Sequence, residues 1–214
     1  MKTVGIIGSG NVGKALAHGF IKLGYKTFIS SRKVNQRDEL EKEFKGQVLV
    51  TTPEDVAKQG QLIVFAVKGT AAKEALNTIG IQNLDGKTVI DTTNPIADAA
   101  PENGVLRYFT DINKSLMEEL QEMAPKANFV KAFSCVGSLH MVKPNFDETP
   151  TMFVCGEDQT AKLEVKSILE KLGWEMEDMG NVEAARAIEP LAMFWCIPGF
   201  RLNSWNHAFK LLKK

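Results

Sequence analysis

Near the amino terminus, Gly8-Ser9-Gly10-Asn11-Val12-Gly13 has the residue types and the spacing to hold a diphosphate. In a GxGxxG turn the first glycine permits the tight bend and the second lets a pyrophosphate approach the backbone. The third lets the following helix pack on the strand. Free N–H groups at the start of that helix then face the phosphates. The competing reading is a glycine turn with a purely structural role. About 20 residues on, an acid would grip the ribose 2′-hydroxyl of NAD. Here the chain reads Ser30-Ser31-Arg32-Lys33, and the nearest acid, Asp38, lies beyond Asn35-Gln36-Arg37. Ser31, Arg32 and Lys33 suit a 2′-phosphate, because a guanidinium offers forked, charge-assisted hydrogen bonds. The pattern therefore favours NADP(H) over NAD, against the plainer view that these are solvated loop charges.

Two further segments fall at strand ends, where open α/β sheets bind ligands. Ala66 and Val67, followed by Lys68, are small or apolar enough to flank a nicotinamide, and Asn94-Pro95 offers fixed backbone groups to its amide or ribose. The plain alternative for both is a strand end with a helix-start turn. No pair of residues reads as a catalytic acid and base. Three cysteines and three histidines, widely spaced, give no metal cluster.

These loops need a scaffold, and the chain supplies one. Val4 to Ile7 reads as a buried strand, followed by a helical face of Val12, Ala15, Leu16, Gly19, Phe20 and Leu23 that Gly24 stops. Strand, helix and strand then alternate through Lys26–Ser30, a mostly polar helix around Leu40 and Phe44, and Val48–Val50. Thr52-Pro53-Glu54-Asp55 is a helix start. The unbroken apolar run Leu62–Val67 is what a parallel strand covered on both faces requires. Lys87–Asp91 and Phe129–Phe133 read as strands on either side of a helix capped by Ser115 and Glu118. Thr151–Cys155, a helix from Asp158 to Gly173 and a strand near Trp174 and Met176 repeat the rhythm. From about Val182 to the end the pattern is helical, bent or broken at Pro190 and again around Pro198-Gly199. The expectation is an α/β, doubly wound parallel sheet of Rossmann type with a small C-terminal strand-helix extension. It divides softly into a nucleotide-binding domain over 1–135 and an extension over 136–214 that forms an acceptor cleft and dimer contacts.

At 214 residues the chain holds about 1.4 average domains, too little for a separate closed substrate domain. Its 44% apolar and 24% charged residues describe a folded globular chain. Twenty-six basic residues cancel 26 acidic ones, which argues against a nucleic-acid or membrane-surface partner, so any anion site must be local. No apolar stretch is long enough to span a bilayer. An odd number of scattered cysteines fits a cytoplasmic protein.

Several segments carry a family resemblance. Gly8 to Leu16, Ser30-Ser31-Arg32, Thr93-Asn94-Pro95-Ile96, Val130-Lys131-Ala132-Phe133 and Val154-Cys155-Gly156-Glu157-Asp158 resemble the NADP-dependent oxidoreductases of the coenzyme F420, or deazaflavin, type. The cytosolic reductase domains of the STEAP ferric reductases are similar as well. The resemblance implies hydride exchange between NADP(H) and a small-molecule redox acceptor, coenzyme F420 or a flavin, a transfer that needs orientation more than a side-chain acid. Relatives tend to read Asn-Thr after Val-Lys-Ala-Phe, whereas this chain has Ser134-Cys135. Ser134, Gly137 and His140 are the candidate acceptor contacts, His140 because an imidazole can bond to a ring carbonyl. A plain turn histidine is the alternative, and Cys135 reads as an inert small residue. The large apolar residues of the last thirty positions, Phe194, Trp195 and Trp205 among them, would wall the acceptor pocket or pack a homodimer. Two other functions fit the same nucleotide turn: reduction of a small imine or keto substrate, and a non-catalytic NADP-binding sensor.

Overall fold

The structure is a computed structural model that describes residues 2–214. The first apolar run forms β1 (Thr3–Ile7) and the stripe after the glycine turn forms α1 (Asn11–Lys22). β2 (Lys26–Ser30), α2 (Val34–Glu43) and β3 (Val48–Thr51) follow. Thr52 begins α3 (Pro53–Gln59), where its hydroxyl accepts the Asp55 N–H at 3.1 Å. β4 (Leu62–Phe65) is buried at every position, as a strand covered on both faces must be. A 3₁₀ turn, Gly69–Ala71, leads into α4 (Ala72–Ile79), and β5 (Thr88–Asp91) follows. Ser115 and Glu118 form a reciprocal capping box on α5 (Leu116–Met123), ahead of β6 (Asn128–Lys131). Then come β7 (Thr151–Val154), α6 (Gln159–Leu172), β8 (Glu175–Asp178) and α7 (Ala185–Leu202).

Six strands pair in parallel in the order β3-β2-β1-β4-β5-β6. The chain direction across the sheet reverses between β1 and β4, and a crevice opens there at the C-terminal strand ends. Alternate side chains feed two cores. Val4, Ile6, Leu62 and Val64 meet α1 and α6 on one face, while Ile7, Ile63 and Phe65 meet α3, α4 and α5 on the other. α6 contributes Val165, Ile168, Leu169 and Leu172 to the first core. At about 1.5–3 kcal/mol for each fully buried aliphatic side chain, that face docks the extension firmly on the sheet. β7 and β8 form their own two-stranded parallel sheet, joined to the large one by a bridge between Lys131 and Cys155 and by Met152 and Val154, which pack in the first core.

Two local readings are corrected. The strand expected to reach Phe133 stops at Lys131, and Phe133 sits at φ 61°, a left-handed conformation unusual for a bulky residue. That residue turns the chain out of the sheet so that Ser134 faces the Asn94 turn. The C-terminal helix is not broken at its prolines. Each costs one ladder hydrogen bond, but Ala185, Ile188, Ala192 and Trp195 carry one buried face past Pro190 to within a turn of Pro198, and α7 runs on to Leu202. It ends where Asn203 adopts φ 51°, and residues 204–214 are not helical. They fold back instead. The Trp195 indole N–H donates to the His207 carbonyl at 2.9 Å, and the Thr151 N–H donates to the Phe209 carbonyl at 2.8 Å.

Candidate functional site

A groove of about 450 Å³ lies at the crevice between β1 and β4. Gly8, Ser9 and Gly10 form its floor, Ser31, Arg32 and Lys33 one end, and Ala66, Val67 and Lys68 the opposite wall. The glycines have separate reasons to be there. Gly8 has φ 113°, and a Cβ on it would stand 2.2 Å from the Ala66 carbonyl oxygen. A Cβ on Gly13 would stand 2.0 Å from the Gly8 carbonyl oxygen, so the start of α1 can close on the turn only as glycine. Around Gly10 a Cβ would meet nothing within 4 Å, which leaves backbone open toward the groove. Asn11 and Val12 belong to the first turn of α1 and lie outside the lining. The Gly8 N–H donates to Ser30 Oγ at 2.9 Å, tying the turn to the end of β2. Ser30, Gln36, Pro53, Ala71, Ala75 and Thr78 also line the groove and were not singled out from sequence. Gln36 is on α2 and Ala75 and Thr78 are on α4, helices on opposite faces of the sheet that only the fold brings to one rim.

Beyond β2 the chain is shaped by hydrogen bonds. Ser31 is buried, its hydroxyl accepts the Lys33 N–H at 3.3 Å, and Arg37 Nε donates to the Ser31 carbonyl at 3.2 Å. Arg32 and Lys33 are exposed on this braced turn, and among the described residues neither side chain has an acidic partner. Lys68 is different. It pairs with Asp98 across the opposite wall, so its charge is already matched.

The Asn94-Pro95 turn lies outside the groove lining; it packs on Gly69, the residue after Lys68 of the groove wall, where a Cβ would be 1.9 Å from the Asn94 carbonyl oxygen. Asn94 Nδ2 donates to the Ser134 carbonyl at 2.7 Å. Asn94 Oδ1 and Ser134 Oγ are both buried with no hydrogen-bond partner in the chain. Beneath them lies a feature absent from the sequence reading. Lys131, with no exposed surface, sits 2.7 Å from Asp91 Oδ2 and 2.8 Å from Glu189 Oε1, and donates to the Thr93 carbonyl at 2.8 Å. Burial alone would lower this ammonium, but the two carboxylates outweigh it and hold the lysine above its ordinary range. The available signal was a lysine in the apolar strand Phe129-Val130-Lys131-Ala132-Phe133. A charge there must find a buried partner.

The acceptor candidates lie on the far side of that turn. Ser134 is buried, and the Trp195 ring covers Gly137, where a Cβ would be 2.6 Å from it. His140 ends a 3₁₀ turn with its ring 5.1 Å from that of Phe146. Burial pushes the Cys135 thiol up to about 12, so it carries no thiolate at neutral pH. Three polar groups of the C-terminal helix and tail are held by other protein groups. Arg186 forks onto Glu118, Glu189 is 1% exposed in the lysine cluster, and His207 Nε2 lies 2.8 Å from the Trp195 carbonyl. Burial would raise the Glu118 carboxyl, but Arg186 and the Ser115 N–H and hydroxyl bring it down to about 2. Among the described residues no group of His, Cys, Asp and Glu could hold a metal ion, and no helix is long and apolar enough to cross a membrane.

Comparison with known proteins gives this geometry its context. Residues 3–95 match the family described as NADP oxidoreductase coenzyme F420-dependent. A solved structure from Arthrobacter sp. FB24, provisionally named an F420-dependent NADP-reductase, superposes with a TM-score of 0.92 at 28% identity, covering 100% of both chains. Metalloreductase STEAP3 of Rattus norvegicus is 27% identical over 95% of this chain, and Metalloreductase STEAP2 of Homo sapiens is 27% identical over 90%. The chain spans 38% and 36% of the length of those two relatives. An imine reductase from Myxococcus stipitatus in complex with NADP+ shares the fold, with a TM-score of 0.67 at 18% identity over 90% of this chain and 60% of the other. The resemblance read from the sequence therefore stands, and with it the Rossmann fold.

Proposed function

We propose that this protein passes a hydride between NADP(H) and a flat, flavin-like acceptor, a deazaflavin of the coenzyme F420 type or a flavin. The observation that carries this reading is that Arg32 and Lys33 beside the groove have no acidic partner among the described residues, while Arg186, Glu189 and His207 of the C-terminal region are each held by other protein groups. Gly8, Ser9, Gly10 and the first turn of α1, including Asn11, Val12 and Gly13, fit a pyrophosphate. Arg32 and Lys33, with Ser31 behind them, fit the 2′-phosphate that separates NADP from NAD. Ala66, Val67 and the Asn94-Pro95 turn fit the nicotinamide half. NADPH bound there would supply the hydride, and the chain's task is to orient the ring and keep water from it. Ser134, Gly137 and His140 are the residues we assign to the acceptor.

Reduction of an imine or keto group calls for a proton donor at the substrate. Arg186, Glu189 and His207, the polar candidates on the C-terminal segment, are all held by other protein groups, which weighs against that reading. We place the division of labour at the 135/136 junction, with the extension supplying the acceptor cleft. Phe194, Phe200 and Leu202, respectively 66%, 46% and 75% exposed, support a homodimer packed through α7. The cytoplasm, where thiols stay reduced, suits the three free cysteines.

The test is NADPH oxidation with a deazaflavin, FMN, FAD and a ferric chelate, the last because two relatives are named metalloreductases. Turnover with a deazaflavin or flavin is the expected result. Tight NADPH binding with no turnover on all four would favour a sensor. Light scattering on the same preparation should report twice the 23.6 kDa of one chain, and a monomer alone would remove the dimer from the proposal.

A further inference from the structure

The turn that carries Asn94 and Pro95 is held from below by charge as well as by the sheet. Lys131, at the end of β6, spends its ammonium on three oxygens: Asp91 Oδ2 at 2.7 Å, Glu189 Oε1 at 2.8 Å and the Thr93 carbonyl at 2.8 Å. Asp91 Oδ1 returns to the same turn, accepting the Thr93 N–H at 2.9 Å and the Thr93 hydroxyl at 2.7 Å. Glu189 comes from α7, outside the large sheet, and is itself pinned. Its carboxylate accepts the Leu116 and Met117 N–H groups at the start of α5, each at 3.0 Å, and its carbonyl accepts the Tyr108 hydroxyl at 2.6 Å. The Thr93 carbonyl accepts the ammonium's hydrogen bond and the two carboxylates hold it by charge, so a shift of Glu189 would pull on Lys131 and, through it, on the Thr93 carbonyl.

We infer that the Glu189–Lys131–Asp91 triad is a positioning device through which the C-terminal helix sets the Thr93-Asn94-Pro95 turn against the nicotinamide half of the cofactor. None of the three lines the groove, so each acts through the turn and not by touching the cofactor. The inference rests on the NADP(H) reading above and adds to it a reason for the extension: α7 fixes one wall of the hydride-transfer site from behind. A buried ion cluster that served stability alone would not distinguish one end of the cofactor from the other, whereas this one is attached to the nicotinamide end only.

That difference is measurable on the full chain. Adenosine 2′,5′-bisphosphate carries the adenosine and 2′-phosphate of NADPH without its nicotinamide, and its affinity reads the Arg32 end alone. Glu189→Gln keeps the side chain's shape and one acceptor oxygen but removes the charge that orients Lys131. In calorimetric titrations the bisphosphate affinity of Glu189→Gln is expected to equal that of the wild type, while the advantage of NADPH over the bisphosphate shrinks by about tenfold. Turnover with whichever acceptor the NADPH-oxidation test selects should fall by about tenfold to a hundredfold, the scale of a small misplacement of the reacting ring. If that variant does not fold, Asp91→Asn is read in the same way, since it keeps an acceptor for Thr93. Equal losses for both ligands, or no loss for either in a folded variant, would overturn the positioning role. A wild-type protein that binds neither ligand would overturn the NADP(H) reading and this inference together.

Discussion

Two cationic sites at the C-terminal edge of one parallel sheet have opposite fates. Arg32 and Lys33, after β2, stand exposed on a braced turn with their charges unmatched. Lys131, at the end of β6, has no exposed surface and is neutralised by two carboxylates at 2.7 and 2.8 Å while it donates to a carbonyl. An exposed cation costs little to keep and is free to meet a phosphate. A buried one is tolerated only when fully partnered, and removing a partner then costs more than the pair itself contributes. The first kind of charge makes a binding site, and the second makes a fixed point from which a site is built.

The sharpest way to break this comparison is Lys131→Met. With the ammonium gone, Asp91 and Glu189 face each other unscreened, and the expected loss is about 3–5 kcal/mol, or a melting point lower by roughly 6–20 °C. Arg32→Met should melt with the wild type. Coincident melting curves for all three proteins would mean that Lys131 is not a fixed point at all. Binding reverses the ranking: Arg32→Ala should weaken NADPH by roughly 10- to 150-fold, the worth of hydrogen bonds to a charged group, and leave NADH affinity unchanged. Equal losses for both cofactors would take the 2′-phosphate away from Arg32.

Glu118 and Arg186 make an intermediate case and the smallest expected effect. Glu118 is held down to about 2 in the fold against an ordinary 4.5. Its stabilising contribution is therefore complete above about pH 5 and is lost as the pH falls toward 2. Arg186 is partly exposed, so salt and water screen the pair. Melting points measured from pH 5 to pH 2.5 should fall more steeply for the wild type than for Glu118→Gln. Parallel slopes would show that the pair contributes nothing specific.

Much of the first site is legible in the order of the residues. A glycine turn is local chemistry: Gly8 and Gly13 are needed where the backbone passes within 2.2 Å of a would-be Cβ, and the spacing records that need. The absence of an acid after β2 is equally plain, as are the caps at Thr52, Ser115 and Asp158, because each depends on residues within four positions. The lysine triad is not legible in this way. Its other members lie 40 and 58 positions from Lys131, on β5 and α7, and no periodicity links them. Phe133 and the unbroken α7 escape a local reading for a related reason. A left-handed phenylalanine and two helical prolines both defy local preference, and surrounding packing overrides it.

Residue order alone points to a parallel α/β sheet, a glycine turn of diphosphate-binding type at its edge and, beside it, a loop without the acid that NAD would call for. All of these follow from short-range sterics, hydrophobic period and the charge of one loop. What stands behind the Asn94-Pro95 turn is settled only by folding, as is the reach of the C-terminal helix to the sheet through Glu189. So is the contrast between Lys68, matched by Asp98, and Arg32, which is not matched. A charge is free or spent according to what the fold brings within about 3 Å of it, and separation along the chain carries no information about that distance.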